Sequence, residues 1–405
     1  MSGSVISRDD FVFVAASPRD ASTDLTPEIS FQEQNTEGHV MENQKKIMLY
    51  CTGKLGDILL MMPVFSAIRI ENPTATIDMF CLSYPEWRPK LEQLLKYAKV
   101  IDNCVFATKW QCFLIRFLGI GRLFGFQKYD EVYYLIHDCH TLANKIRRSM
   151  PFLKSILRKA GVILGAKPFS SDSQLPGTEY RISEQLAWRI QATSHRPFCI
   201  SHYKMPVAAP LRKEALSFLN DLKFDSKIRF FCVCIGGQPI SKWPKDRYIE
   251  VLRRVIQQTS LRPVFLGGPE DEDDILYIMK QLPANTAAYA KYCTEDFCKT
   301  IVLMESMDFY LGNDTGSIHL AGMAGLPCVG IYSDRNKSKN FYPIGKNHII
   351  LKKEGMNCPY RCDKMTTCPI ATNSGGGSPC LEQISVEEVV EAVLRLAHQI
   401  FQDAQ

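Results

Sequence analysis

Asp308-Phe309-Tyr310-Leu311-Gly312-Asn313-Asp314-Thr315-Gly316-Ser317-Ile318-His319-Leu320-Ala321 is the stretch on which the fold turns. An apolar strand, Asp308–Leu311, runs into a polar, glycine-flanked turn and then a helix, Ser317–Ala324, with a second strand at Cys328–Tyr332. Strand, turn, helix and strand in that order make a βαβ unit of a parallel sheet. In such sheets ligands collect beyond the carboxyl ends of the strands, near helix N-termini. Thr315, Gly316 and Ser317 would present backbone N–H groups at one of these ends, a cradle for a pyrophosphate. His319 lies about one turn into the helix and points back towards that end. A lone histidine there is more often structural; beside this turn it is a candidate contact for a phosphate or leaving group.

The same alternation extends outward. Arg229–Ile235 reads as a strand ending in Gly236-Gly237, Arg247–Thr259 as a helix, Pro263–Leu266 as a strand before Gly267-Gly268, and Ile275–Leu282 as a helix. Further upstream, Ile47–Tyr50 is a strand, Cys51–Gly56 a turn and Asp57–Ile70 one long apolar helix. Ala75–Cys81, Lys99–Phe106 and Glu131–Ile136 are strands, and Glu86–Tyr97 is a helix. A connector with Pro197, Pro206 and Pro210 separates the two series, and Ser385–Ile400 closes the chain as an amphipathic helix striped by Val389, Val390, Val393 and Leu394. The pattern implies two Rossmann-like domains, 45–205 and 206–405, facing one cleft. Residues 1–44 have no periodicity and read as a disordered or accessory tail.

Composition narrows the class. The chain has 405 residues, 46% of them apolar and 22% charged, which excludes a collagen-like, coiled-coil or wholly disordered protein. No run approaches the roughly 18–20 apolar residues that span a bilayer. Arg8, Asp9 and Asp10 interrupt the opening stretch, which lacks the apolar core of a secretory signal, so a cytoplasmic protein is expected. Eight acids against two arginines give residues 1–44 a charge of −6, and the remainder therefore carries +11 of the net +5. A basic body suits an anionic ligand or surface rather than nucleic acid specifically. Lys145, Arg147, Arg148, Lys154, Arg158, Lys159 and Lys167 fall in an apolar stretch, 144–167, that contains no acid. It reads either as a solvated helical face or as a docking surface for anionic lipid or a phosphorylated acceptor. The 15 cysteines include Cys51, Cys81, Cys232 and Cys234 in strand-like runs, where a reduced thiol packs as a small apolar group.

Four strand ends carry chemistry-bearing turns. In Gly53-Lys54-Leu55-Gly56-Asp57 the aspartate taken alone is a helix cap. Gly236-Gly237-Gln238-Pro239-Ile240-Ser241-Lys242 pairs exposed N–H groups with a cation for phosphate, Lys242, which reads equally as a solvated lysine. The acids of Gly267-Gly268-Pro269-Glu270-Asp271-Glu272-Asp273-Asp274 oppose a helix dipole more plausibly than they bind metal, although Glu270 suits a ribose hydroxyl. Cys358, Cys362, Cys368 and Cys380 offer four thiols for a structural zinc but lack the paired C-x2-C spacing; a disulfide is the other alternative, and free or packed thiols are the favoured reading.

Lys54-Leu55-Gly56-Asp57 with Pro63, Ser241-Lys242-Trp243-Pro244, Gly267-Gly268-Pro269-Glu270 and Asn313-Asp314-Thr315-Gly316…His319-Leu320-Ala321…Gly325-Leu326-Pro327 occur in this order. From about Lys46 to Ala397 the chain thus resembles glycosyltransferase family nine, the heptosyltransferases that add ADP-activated heptose to lipopolysaccharide. The resemblance implies a GT-B fold and inverting, metal-independent transfer without a cofactor. It implies Asp57 as catalytic base, Lys242 near the donor phosphates, Asp314, Thr315, Gly316 and His319 in the donor motif, and Glu270 near the ribose. Ser317 and Gly268 fall in the same donor-binding turns. Lys54, Lys145, Arg147, Arg148, Arg158 and Lys159 would face a lipid-linked glycan acceptor at the inner face of the inner membrane. A nucleotide-sugar epimerase, which needs no acceptor, and a non-catalytic nucleotide-sugar-binding protein, which would tolerate loss of Asp57, are the alternatives on the same fold.

Overall fold

The computed structural model describes residues 44–405 except 54, 83–87, 107–128, 136–161, 165–179, 202, 222–227, 291–295, 335–338, 354–361, 363–364, 371–377, 404 and 405. The tail 1–43 and nearly all of the basic stretch 144–167 therefore lie outside the described residues.

Two parallel sheets organise the chain. The first has the order β3-β2-β1-β4-β5, formed by β1 (Lys46–Thr52), β2 (Thr76–Leu82), β3 (Asn103–Phe106), β4 (Glu131–Leu135) and β5 (Val162–Leu164). The second has the order β8-β7-β6-β9-β10-β11, formed by β6 (Arg229–Cys234), β7 (Leu261–Leu266), β8 (Ala288–Ala290), β9 (Tyr310–Asn313), β10 (Cys328–Tyr332) and β11 (Ile349–Lys352). Every pairing in both sheets is parallel. Each sheet starts in its middle and winds outward in both directions, so a crevice opens where the winding reverses: between β1 and β4, and between β6 and β9. The strands next to these crevices are apolar for a physical reason. With neighbours on both edges and helices over both faces, β9 and β10 are buried at every residue.

Helices α1 (Leu55–Leu60) and α2 (Met62–Glu71) follow β1, and α3 (Arg88–Tyr97) follows β2. Next come α4 (Ile182–Ser194), α5 (Ala209–Asp221), α6 (Lys245–Gln258), α7 (Glu272–Gln281), α8 (Phe297–Glu305), α9 (Gly316–Met323), α10 (Pro379–Glu382) and α11 (Val386–Asp403). Helix α6 shows how patterning fixes the layers: Tyr248, Ile249, Val251, Leu252, Val255 and Ile256 form one buried face. That face packs with α11 and α7 over one side of the second sheet. On the other side, a single apolar cluster continues from β1, α1 and α2 of the first sheet into α8 and α9. Contacts of α1 with α9 and of α3 with α8 thus join the halves.

Three sequence expectations change. The helix expected to run unbroken from Asp57 divides at Met61, because Pro63 has no N–H to donate and crowds the carbonyl of Leu59; Met61 N–H instead bonds Ile58 O at 3.0 Å, a tighter turn. The strand expected from Lys99 begins at Asn103, since Lys99 takes a left-handed φ of 54° just past α3. The end of the basic stretch, expected as a helical face, is strand β5 along β4, with Glu131 opposite Val162. Cys51, Cys81, Cys232 and Cys234 are buried, as expected of small apolar side chains in strands. Among the described residues no helix is long and apolar enough to cross a membrane.

The start of α8 offers a local test. Asp296 caps it, its carboxylate accepting from Cys298 N at 2.8 Å and Lys299 N at 3.2 Å. Asp296→Ala is expected to lower the unfolding free energy by about 1 kcal/mol in a urea titration; an unmoved midpoint would show that these donors find other partners.

Candidate active site

The first sheet contributes the turn after β1. The chain leaves Thr52, passes Gly53 at φ 148° and enters α1. Asp57 is the third residue of α1, not its cap, and its half-buried side chain folds back over Gly53: a Cβ built there would stand 2.7 Å from Asp57 Oδ2. Only a residue without a side chain fits beneath that carboxylate.

The second sheet contributes the turn after β9, directly opposite. The edge of the His319 imidazole lies on Gly56, where an added Cβ would be 2.7 Å from Cδ2 and 3.1 Å from Nε2. Leu55 reaches Gly316 in the same way, Cδ2 standing 3.3 Å from the corresponding point. The two helix starts therefore meet, and the residue next to Asp57 touches His319. His319 is 4% exposed. Burial lowers its pKa to about 4, so the ring is neutral near pH 7, and Nδ1 has no hydrogen-bond partner among the described residues. It can serve a ligand as a hydrogen-bonding dipole rather than as a cation.

Helix α9 begins unusually open. Thr315 occupies the cap position yet makes no side-chain cap; its hydroxyl meets Ser317 Oγ at 2.7 Å, and Ser317 Oγ also meets Tyr310 OH at 2.8 Å. The first turn of α9 carries no acid. Its leading N–H groups, which lack intrahelical acceptors, are thus turned to the crevice without a side-chain cap, the arrangement that receives anions.

Asn313 holds this edge together. Its amide Nδ2 donates to Ile235 O at 2.8 Å and to Gly236 O at 3.1 Å, while Oδ1 accepts from Tyr248 OH at 2.9 Å and from Trp243 N at 3.2 Å. One fully buried side chain thereby ties β9 to the end of β6, to the Lys242 loop and to α6. The next turn crosses the crevice, with Gly237 at φ 136° and a virtual Cβ 2.7 Å from Thr315 Cγ2.

Lys242 is ion-paired to Asp271, Nζ to Oδ1 2.9 Å, and lies 3.8 Å from Asp274 Oδ2. Asp271 is 6% exposed, and burial raises its pKa against the pull of Lys242. The acid singled out from the sequence, Glu270, is exposed on the short turn Pro269–Asp271, whereas Gly268 is buried beneath it. Asp271 and the anchoring role of Asn313 were missed: four more acids follow Glu270 without a break, and spacing does not say which one turns inward. The structure gathers Asp57, His319, Thr315, Gly316 and Ser317 around the meeting of α1 and α9, with Asp314 at the end of β9. Lys242 and Asp271 stand at the neighbouring strand end. Lys54, Lys145, Arg147, Arg148, Arg158, Lys159 and Cys358 lie outside the described residues. Cys368 and Cys380 are free, Cys362 is half-buried, and no cluster of three or more His, Cys, Asp or Glu able to hold a metal occurs among the described residues.

Residues 201–368 match the family model described as "Glycosyltransferase family 9 (heptosyltransferase)". Over these residues the resemblance to the heptosyltransferase family holds. Among solved structures, a glycosyl transferase family 9 protein from Veillonella parvula is 20% identical, with a TM-score of 0.64 over 89% of this chain and 100% of its own. The E. coli ADP-heptose lps heptosyltransferase II is 16% identical, with a TM-score of 0.59 over 89% and 100%. E. coli heptosyltransferase WaaC with ADP is 12% identical, with a TM-score of 0.55 over 87% and 99%. At these identities the likeness is one of fold, and the fold is GT-B. No curated protein matches the sequence.

The buried His319 has a pH signature. Unfolded, His319 takes up a proton below about pH 6.5; folded, it does so only below about 4. Between these values the unfolded chain binds more protons, so stability falls with falling pH and levels off under pH 4. The loss attributable to this ring is about 3 kcal/mol. Wild type compared with His319→Gln, by urea unfolding from pH 7 to 4, is expected to show that extra slope in wild type alone. The raised carboxylates of Glu71, Asp271 and Asp308 are common to both proteins and cancel. Parallel curves would show the imidazole to be solvated.

Proposed function

We propose that the chain is an inverting, metal-independent glycosyltransferase that moves heptose from ADP-heptose onto a lipopolysaccharide core or related glycan. The observation that carries this reading is the contact of His319 with Gly56, which sets the helix turn that bears Asp57 against the uncapped start of α9. A base and an anion cradle from different sheets then face one reacting carbon. The ADP component is carried over from two structural neighbours, one an ADP-heptose lps heptosyltransferase and one with ADP.

In this reading residues 206–405 bind the nucleotide sugar and 45–205 the acceptor. Asp57 takes the proton of an acceptor hydroxyl as its oxygen bonds the anomeric carbon. The bond from that carbon to the diphosphate oxygen breaks on the opposite face, and the diphosphate leaves with the electron pair. Negative charge growing there meets the N–H groups of α9, the Lys242 ammonium and a hydrogen bond from neutral His319. These fixed donors do the work that a divalent cation does in other transferases. Asp314 and Gly316 would shape the turn that aims the N–H groups, and Glu270, exposed on its short turn, would bond a ribose hydroxyl.

Asp57→Asn keeps shape and removes the base. Turnover with ADP-heptose and a lipopolysaccharide core acceptor is expected to fall by about 10²–10⁴-fold while ADP affinity stays near wild type. Undiminished turnover would return Asp57 to a purely structural role in the first turn of α1. Lys242→Ala is expected to weaken ADP by about tenfold or more, as loss of a charged hydrogen bond to phosphate does; an unaltered dissociation constant in calorimetry would remove Lys242 from the phosphate site.

A further inference from the structure

The Lys242–Asp271 pair has a geometry that a merely solvated lysine does not need. The carboxylate is buried at the carboxyl edge between β6 and β7, and its Oδ2 occupies the very space a side chain on Gly236 would take, 2.2 Å from a Cβ built there. The first glycine of the turn is therefore room made for Asp271. Charges around the pair are arranged so that Asp271 owns the lysine. Asp274, the other acid near Lys242, is engaged by Lys245 at 2.6 Å, and Lys245 in turn lies 4.8 Å from the centre of the Tyr277 ring. Two acids and two lysines alternate in a row, and the 2.9 Å hydrogen bond of Lys242 goes to the buried member.

A buried carboxylate is weak evidence of stability, because an apolar pair of the same volume would serve as well or better. It does set direction. Lysine has a long, flexible stem, and its ammonium has three donors; one is committed to Asp271, which leaves two for another anion. We propose that Asp271 is the positioning residue for Lys242, holding the ammonium at this strand edge before a diphosphate arrives. The proposal rests on the reading of Lys242 as a phosphate contact. It makes the cradle preformed: the ordering of the lysine precedes binding and does not have to be met by the ligand. Glu270 on the same turn and the Cys234 thiol on β6 are the other titratable groups near Asp271, and neither supplies a counter-charge.

The test is a double-mutant cycle read by calorimetric titration of the full chain with ADP. Asp271→Asn, which removes the charge and keeps the volume, is expected to weaken ADP by about tenfold, as Lys242→Ala does. The double variant is expected to be no weaker than Lys242→Ala, because Asp271 acts only through the lysine. Asp271→Glu, which restores the charge, is expected to recover part of the loss. Wild-type ADP affinity in Asp271→Asn, or losses that add in the double variant, would overturn the positioning role while leaving Lys242 as a phosphate contact. Wild-type affinity in Lys242→Ala would instead remove the reading on which the proposal stands. A second measurement needs no change at Asp271. The ammonium NMR signal of wild type that disappears in Lys242→Arg is expected to be hydrogen-bonded and slow to exchange without ADP; a signal that becomes so only on adding ADP would equally overturn the proposal.

Discussion

Asn313 is the constraint on which the site depends. The end of β6 must present two backbone carbonyls to the interior, and the start of α6 must bury a tyrosine hydroxyl beside a backbone N–H. Left alone, each of these groups would cost about 1–3 kcal/mol. A single amide satisfies all four, two donors facing the carbonyls of Ile235 and Gly236 and one acceptor facing Trp243 N–H and Tyr248 O–H. Aspartate would face those carbonyls with lone pairs, and leucine would offer them nothing. The amide fixes the distance between two strand ends at the place where the sheet reverses its winding. Thr315 and Lys242, which extend from those ends, inherit that fixed spacing.

Close approach across the crevice is the second consequence. Helices α1 and α9 meet through residues chosen for their lack of bulk, Gly56 under His319 and Gly316 under Leu55. This contact is what sets the helix turn that bears Asp57 against the open start of α9. It also strips water from His319, which is why the ring is neutral. A cationic imidazole would attract phosphate more strongly, but burying it against an apolar contact would cost more than the site returns. In the proposed reading attraction is left to Lys242 and to the backbone dipoles.

The alternation of strands and helices was legible because central parallel strands are buried on both faces and read as unbroken apolar runs. Glycine-rich turns at their ends marked the crevices for the same reason that they form them. What was not legible falls into two kinds. Some was local: Pro63 divides the helix inside an apolar run whose period alone reads as one helix. Three-residue strands such as β8 lack the length to show a period. The rest was tertiary. Nothing in Glu270-Asp271-Glu272-Asp273-Asp274 distinguishes the second acid until Gly236 is seen to leave a space and Lys242 to point into it. The depth of His319 likewise follows from a glycine more than two hundred and fifty positions earlier in the chain.

These features together define what kind of electrostatic site this is. The row Asp271, Lys242, Asp274 and Lys245 carries no net charge, His319 is neutral, and the open start of α9 contributes dipoles rather than ions. In the proposed reading such a site would hold an anion by directed hydrogen bonds, each stronger in a low-dielectric crevice than in water, with nothing to reorganise as charge develops. Its selectivity therefore comes from where the donors point more than from how much charge they carry. That is why the rigid parts, Asn313 at one strand end and Asp271 at the next, matter as much as the groups that would touch the ligand.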